Sequence, residues 1–75
     1  MEFNLTTEQK IRSITDSKTN MLNEVYGLLV GIGIDPDEFD PTTWVPTESE
    51  TGNEIRIRSL LTNITRADAK IAELS

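Results

Sequence analysis

The sequence contains no cysteine and no histidine, and these two absences exclude several classes of protein. Without cysteine the chain has no disulfide, no thiol nucleophile and no thiolate metal site. Without histidine it has no imidazole to bind a metal ion or to activate a serine or threonine hydroxyl. A metal site made of oxygen ligands remains conceivable, but the acidic segment that begins at Asp35 places Phe39 where a calcium loop needs a third oxygen ligand. We therefore expect a protein that is not an enzyme and that uses no metal ion or other cofactor.

A long hydrophobic segment is also lacking. The longest apolar run, residues 25–34, includes a tyrosine and three glycines. A helix that spans a bilayer needs about 20 apolar residues. No basic amino-terminal stretch precedes the run, as a signal peptide would require. We therefore expect a cytoplasmic protein that does not bind a membrane.

Basic residues are missing from the middle of the chain. Thirteen acids and seven bases give the 75 residues a net charge of −6. Six of the acids and none of the bases lie in residues 35–50, whereas residues 1–34 and 51–75 are nearly balanced. Binding to duplex nucleic acid needs a contiguous basic surface, so we expect no such partner. The balanced flanks still allow a small phosphate-bearing ligand to bind locally.

A capping sequence and an apolar stripe predict a first helix over about residues 7–32. Thr6 followed by Gln9 fits a capping box, in which each side chain bonds to the backbone of the other residue. Gly31 and Gly33 predict the end of this helix. Apolar side chains recur between these signals at helical spacing, with one gap of seven residues: Ile11, Ile14, Met21, Val25, Leu28 and Ile32.

The last third of the chain predicts a second helix over about residues 51–74. Two capping boxes fit its start, Thr47 with Glu50 or Thr51 with Glu54. An apolar heptad pattern follows at Ile57, Leu60, Ile64, Ala67, Ile71 and Leu74. We therefore expect one all-α domain, an antiparallel helical hairpin. Two such broad stripes need more helices to cover them, so we expect the hairpin to assemble into a homo-oligomeric helical bundle.

The acidic connector, about residues 33–50, contains all three prolines. Its Asp-Pro pairs at 35–36 and 40–41 each fit an N-cap followed by a first helical residue, which predicts a short helical turn. The large apolar residues of the connector are Phe39, Trp44 and Val45. They either fold back over the end of the helix pair, or leave Trp44 exposed as a contact for a partner.

Four polar residues of the two helices are candidates for binding an anion. Lys18 occupies the gap in the first apolar stripe. It either reaches solvent or fixes the register of an oligomer, or it points into a pocket between protomers and meets an anion. Arg58, Thr62 and Arg66 are spaced by four residues and form a row on the second helix. The row is either a solvated face or a phosphate cradle with two guanidiniums and a hydroxyl.

The second helix resembles a domain of known bacteriophage proteins. Residues 54–61, Ile64 and residues 66–72 are similar to the second helix of the helical hairpin in the anti-CBASS and anti-Thoeris sponges. The ending Ala-Asp-Ala-Lys-Ile-Ala resembles the Ala-Asn-Ala-Ala-Ile-Ala of that domain. Residues 8–22 are compatible with its first helix.

The resemblance implies a phage counter-defence protein in the host cytoplasm. Members of that family are small homo-oligomers, often hexamers, that sequester cyclic oligonucleotide immune messengers in pockets between protomers. Carried onto this sequence, the resemblance implies ligand contacts from Phe3, Lys18, Arg58, Thr62 and Arg66. The residues alone also allow a non-catalytic inhibitor or adaptor whose acidic connector docks a basic partner surface, or a structural coiled-coil component.

Overall fold

The computed structural model describes residues 4–46 and 51–75 of the chain. Two long helices, α1 (Thr7–Gly31) and α2 (Gly52–Leu74), are joined by a connector that contains a 3₁₀ turn at Pro36–Glu38. The helices pack antiparallel as a hairpin, and the described residues include no strand. The predicted all-α hairpin is therefore confirmed, with both helices within about a residue of their expected bounds.

Both helices begin at a capping box. At α1 the Thr6 hydroxyl accepts from the Gln9 N–H at 3.2 Å, and the Thr6 N–H donates to the Gln9 side chain at 2.9 Å. At α2 the corresponding bonds between Thr51 and Glu54 are 3.2 and 3.1 Å. These reciprocal bonds satisfy backbone donors that a helix start leaves without partners. The other start considered for α2, Thr47 with Glu50, lies outside the described residues.

Gly33 ends α1 in a left-handed conformation, with φ of 84°. Its N–H donates to the Val30 carbonyl at 3.1 Å, and the Ile34 N–H donates to the Leu29 carbonyl at 2.9 Å. This pair of bonds is the Schellman motif, which favours glycine because a Cβ is strained at positive φ. Gly31 was also predicted to end the helix, but it is the last residue of α1 and keeps a negative φ.

The core lies at the connector end of the hairpin. Among residues 4–46 and 51–75, five apolar side chains are buried: Val25, Leu29, Ile57, Leu60 and Ile64. Towards the other end, the residues that continue the two apolar stripes are only half-buried: Ile11, Ile14, Ala67, Ile71 and Leu74. The heptad pattern of α2 thus predicts the correct buried face, and the residues at its first three positions belong to the core.

The connector folds back onto this core. Phe39 and Trp44 pack against the buried cluster and meet edge to face, with ring centroids 5.8 Å apart. The interpretation that these two residues cover the helix pair is confirmed. Val45 was expected to join them, but its side chain is 78% exposed.

Side-chain hydrogen bonds shape the two Asp-Pro segments. The Asp35 carboxylate accepts from the Asp37 N–H at 3.0 Å and caps the 3₁₀ turn, so the predicted short helical turn is confirmed. The Asp40 carboxylate accepts from the Thr42 hydroxyl at 2.6 Å and from the Thr42 N–H at 2.9 Å. Because these bonds favour the charged form, they lower the pKa of Asp40. The second segment forms a turn and no helix.

A bidentate ion pair ties α1 to α2 beside the core. The Arg56 Nε donates to Glu24 at 2.6 Å and the Arg56 Nη2 donates to the same carboxylate at 3.1 Å. This hydrogen bonding lowers the pKa of Glu24 and raises the pKa of Arg56. Both side chains are well exposed, so the pair contributes to the register of the helices more than to stability.

Alanine substitution at two glycines should change stability in opposite directions. Gly33→Ala should lower the free energy of unfolding by about 1–2 kcal/mol, because its left-handed conformation strains a Cβ. Gly27→Ala should raise it by about 0.5–1 kcal/mol, because this helical position has open space for a methyl group. Urea unfolding followed by circular dichroism measures both. Equal changes of the same sign would show that the Gly33 turn is not formed.

Replacing Arg56 should return the pKa of Glu24 towards its ordinary value of 4.5. In the folded wild-type chain this pKa is lowered, so the carboxylate favours folding above pH 4.5 and loses that contribution as the pH falls through the folded-state pKa. An NMR titration of the Glu24 carboxyl carbon in Arg56→Gln tests this, with Arg12→Gln as the control. An unchanged titration midpoint in Arg56→Gln would contradict the ion pair.

Candidate functional site

A groove runs between the last part of the connector and one face of α2, with a cavity volume of about 420 Å³. Two connector prolines line it, and its other principal lining residues are Trp44, Arg58, Leu61, Thr62, Thr65 and Asp68. We call it the connector groove. Its walls combine one large aromatic ring, an aliphatic floor, a guanidinium and hydroxyls, which is a composition that suits a flat, anionic organic ligand.

Two of the five residues expected to contact a ligand lie in this groove. Arg58 and Thr62 line it together, one turn apart on α2. Arg66, the third member of the predicted row, is exposed and lies outside the groove. All three residues remain at four-residue spacing on α2, so the row continues beyond the groove at Arg66. Phe3 lies outside the described residues.

Lys18 reaches the edge of the connector groove through an ion pair. Its Nζ lies 2.6 Å from the Asp68 carboxylate, and Asp68 is a lining residue. The Lys18 side chain is 31% exposed, because its stem packs along the hairpin while its ammonium group reaches across to α2. The pair offsets the negative charge that Asp68 brings to the groove wall. Sequence reasoning considered Lys18 as an anion contact and did not predict this intramolecular partner.

The hydroxyl groups of the groove are held by the helix backbone. Thr62 donates to the Arg58 carbonyl at 3.1 Å, and Thr65 donates to the Leu61 carbonyl at 3.0 Å. In this arrangement each hydroxyl oxygen offers lone pairs to a ligand, and its proton must turn about the Cβ–Oγ1 bond and leave the carbonyl before it can be donated to a ligand. Arg58 is therefore the principal cationic donor among the described lining residues.

The Trp44 ring has two roles in the structure. The same ring covers the core on one side and lines the connector groove on the other. The sequence offered these roles as alternatives, whereas the half-buried side chain fulfils the first and keeps surface for a ligand or partner. The clue in the sequence is a single tryptophan inside a proline-rich acidic connector.

A second groove lies at the other end of the hairpin, between the start of α1 and the end of α2. Its cavity volume is about 640 Å³. Apolar side chains and two lysines line this open-end groove: Leu5, Lys10, Ile14, Lys70 and Leu74. Sequence reasoning did not predict this groove, although the apolar stripes continue to the start of α1 and the end of α2 and indicate an apolar surface there. Lys70, which follows Arg66 by four residues on α2, lies here.

In residues 4–46 and 51–75, no three or more acidic side chains gather in a way that could hold a metal ion. No helix formed by these residues is long and apolar enough to cross a membrane.

Comparisons of the chain with protein-family models, with curated proteins and with solved structures found no match. The proposals below are therefore supported by the two grooves, by the charges around them and by the resemblance described above.

Proposed function

We propose that this chain is a non-catalytic capture protein that sequesters a small cyclic oligonucleotide messenger. In this role it acts as a phage counter-defence protein in the host cytoplasm, and it works as a homo-oligomer with ligand pockets between protomers. The observation that carries the proposal is that Trp44, Arg58 and Thr62 line one groove.

The chemistry of the connector groove suits a nucleotide. A nucleobase stacked on the exposed part of the Trp44 ring contributes about 1–3 kcal/mol. The Arg58 guanidinium gives a phosphate a charge-assisted, directional hydrogen bond, and Leu61 provides an apolar floor for the base or ribose. The volume of about 420 Å³ lies in the range of sites that hold small organic ligands.

Capture without turnover agrees with the functional groups in the groove. The hydroxyls of Thr62 and Thr65 donate to backbone carbonyls of α2. The Asp68 carboxylate accepts from Lys18. A bound messenger would therefore be held and not hydrolysed, and its removal from solution would be the biological effect.

Self-assembly is supported by the surface that a single hairpin leaves uncovered. Leu22 and Tyr26 are 46% and 53% exposed on α1, and the apolar stripes are only half-buried towards the open end. Apolar surface of this extent on a small helical protein favours contact with further helices. The connector groove is itself open to solvent, so a neighbouring copy would complete its walls. The resemblance favours a hexamer.

Cyclic dinucleotides and trinucleotides should quench the fluorescence of Trp44 and raise the melting temperature by several degrees. Trp44 is the only tryptophan, so its emission reports on this groove alone. Arg58→Gln should weaken binding about 10- to 150-fold, because a hydrogen bond to a charged group contributes about 1.5–3 kcal/mol. The matched control is Arg12→Gln, which removes the same charge from an exposed position on α1 outside the groove.

Two results would contradict nucleotide capture. One is the absence of quenching and of a thermal shift with every cyclic nucleotide and every adenosine diphosphate ribose variant in the panel. The other is an equal loss of affinity in Arg58→Gln and Arg12→Gln, which would show a general effect of charge. Circular dichroism of both variants establishes that the hairpin is retained.

A protein-binding inhibitor or adaptor is the second candidate function. Residues 35–46 contain four carboxylates and no base, and the side chains of Asp37 and Glu38 are exposed. Such a surface complements a basic surface on a partner protein. The nucleotide panel separates the two candidates, because an adaptor would be indifferent to every nucleotide and would bind its partner less tightly as salt is added.

A further inference from the structure

The charged side chains that line the open-end groove are of one sign. At the open-end groove, the described lining residues that carry charge are both lysines, Lys10 and Lys70. Lys70 lies 3.3 Å from Glu73 in an exposed pair within one turn of α2, which is a weak interaction. The floor between the lysines is formed by Leu5, Ile14 and Leu74. This end therefore presents an apolar depression with a cationic rim.

The connector end presents the opposite charge. The carboxylates of Asp35 and Asp40 accept hydrogen bonds from their own turns. Those of Asp37 and Glu38 project from the 3₁₀ turn at exposed positions, and none of the ion pairs between described residues includes them. Desolvated carboxylates are stable against a cationic surface and costly against an acidic or apolar one. The turn is therefore matched to a surface such as the rim of the open-end groove.

We propose that the 3₁₀ turn of a second copy of this chain docks in the open-end groove. In that contact Asp37 and Glu38 of one copy pair with Lys10 and Lys70 of the next. The inference rests on the self-assembly proposed above and names the surface that carries it. The turn and the groove lie at opposite ends of the hairpin. Two antiparallel copies can therefore form the contact twice, and copies arranged head to tail can form it once between each pair of neighbours around a closed ring.

Charge complementarity within the chain favours a second copy over a foreign partner. With a net charge of −6, copies of this chain repel one another unless an acidic segment of one meets bases of another. The proposed contact pairs the segment that contains the excess of acids with the groove that two lysines line. Exposed apolar side chains lie beside the turn as well, since Leu22 and Tyr26 line a small depression with Pro36. They provide apolar surface to cover the floor of the open-end groove.

A pair of charge-reversed variants tests the contact. The first carries Lys10→Glu with Lys70→Glu, and the second carries Asp37→Lys with Glu38→Lys. Each variant alone places like charges against each other in every turn-to-groove contact, so its self-association should weaken about tenfold or more. In an equimolar mixture each turn finds a groove of opposite charge, so assembly should return. Sedimentation velocity and native mass spectrometry measure the assembly state of each sample at micromolar concentration.

The matched control replaces two basic residues that lie outside the open-end groove. Arg12→Glu with Arg66→Glu changes the net charge by the same amount as the lysine variant, at exposed positions of α1 and α2. Its self-association should be closer to that of the wild type than the self-association of the lysine variant is. Circular dichroism of all variants establishes that the helices are retained.

The outcomes separate this inference from the proposed function. A wild-type monomer at micromolar concentration would overturn both self-assembly and the docking contact. A wild-type oligomer whose size is unchanged in both charge-reversed variants, or a mixture that does not reassemble, would overturn the docking contact and leave self-assembly standing. Nucleotide quenching of Trp44 is measured on the wild type alone, so its absence overturns ligand capture without bearing on the contact.

Discussion

The packing of Val25 and Leu29 against Ile57, Leu60 and Ile64 is the contact on which the rest of the hairpin depends. Burying one such side chain contributes about 1.5–3 kcal/mol, and these are the five apolar side chains buried among the described residues. The contact lies at the connector end, where the Gly33 turn, Phe39 and Trp44 reinforce it. Away from it the two apolar stripes continue without full cover, which makes the two ends of the molecule physically different.

This asymmetry places the candidate functions at opposite ends. Trp44 belongs both to the cover of the core and to the connector groove, so a ligand that contacts the ring also stabilises the connector against the helices. The open-end groove has the reverse character, because its apolar floor lies where the hairpin is least covered. The proposed ligand would thus contact the ring that covers the core, and the proposed docking contact would cover apolar surface that a single hairpin leaves open.

The sequence predicts the elements of this fold because their signals are local. The capping boxes at Thr6 and Thr51, the left-handed Gly33 and the apolar stripes each act within about a turn of helix. The pairing of the helices is different, because it depends on the register, which is set by how far α2 slides along α1. A slide of one helical turn, about 5.4 Å along the axis, would keep the same apolar face of α2 against α1. The pair Glu24–Arg56 and the meeting of Trp44 with α2 depend on that register, so the sequence alone could not place them.

Lys18 shows how a residue outside the connector groove sets the charge inside it. Among the described lining residues Arg58 is cationic and Asp68 is anionic, so these two charges alone would cancel. The ammonium group of Lys18 lies 2.6 Å from Asp68 and offsets the negative charge of that carboxylate without lining the groove. An apolar residue at position 18 would continue the stripe more regularly, yet it would remove the lysine partner of Asp68 from the groove wall. The interruption of the apolar stripe is thus explained within one chain, because the lysine forms an ion pair between the two helices.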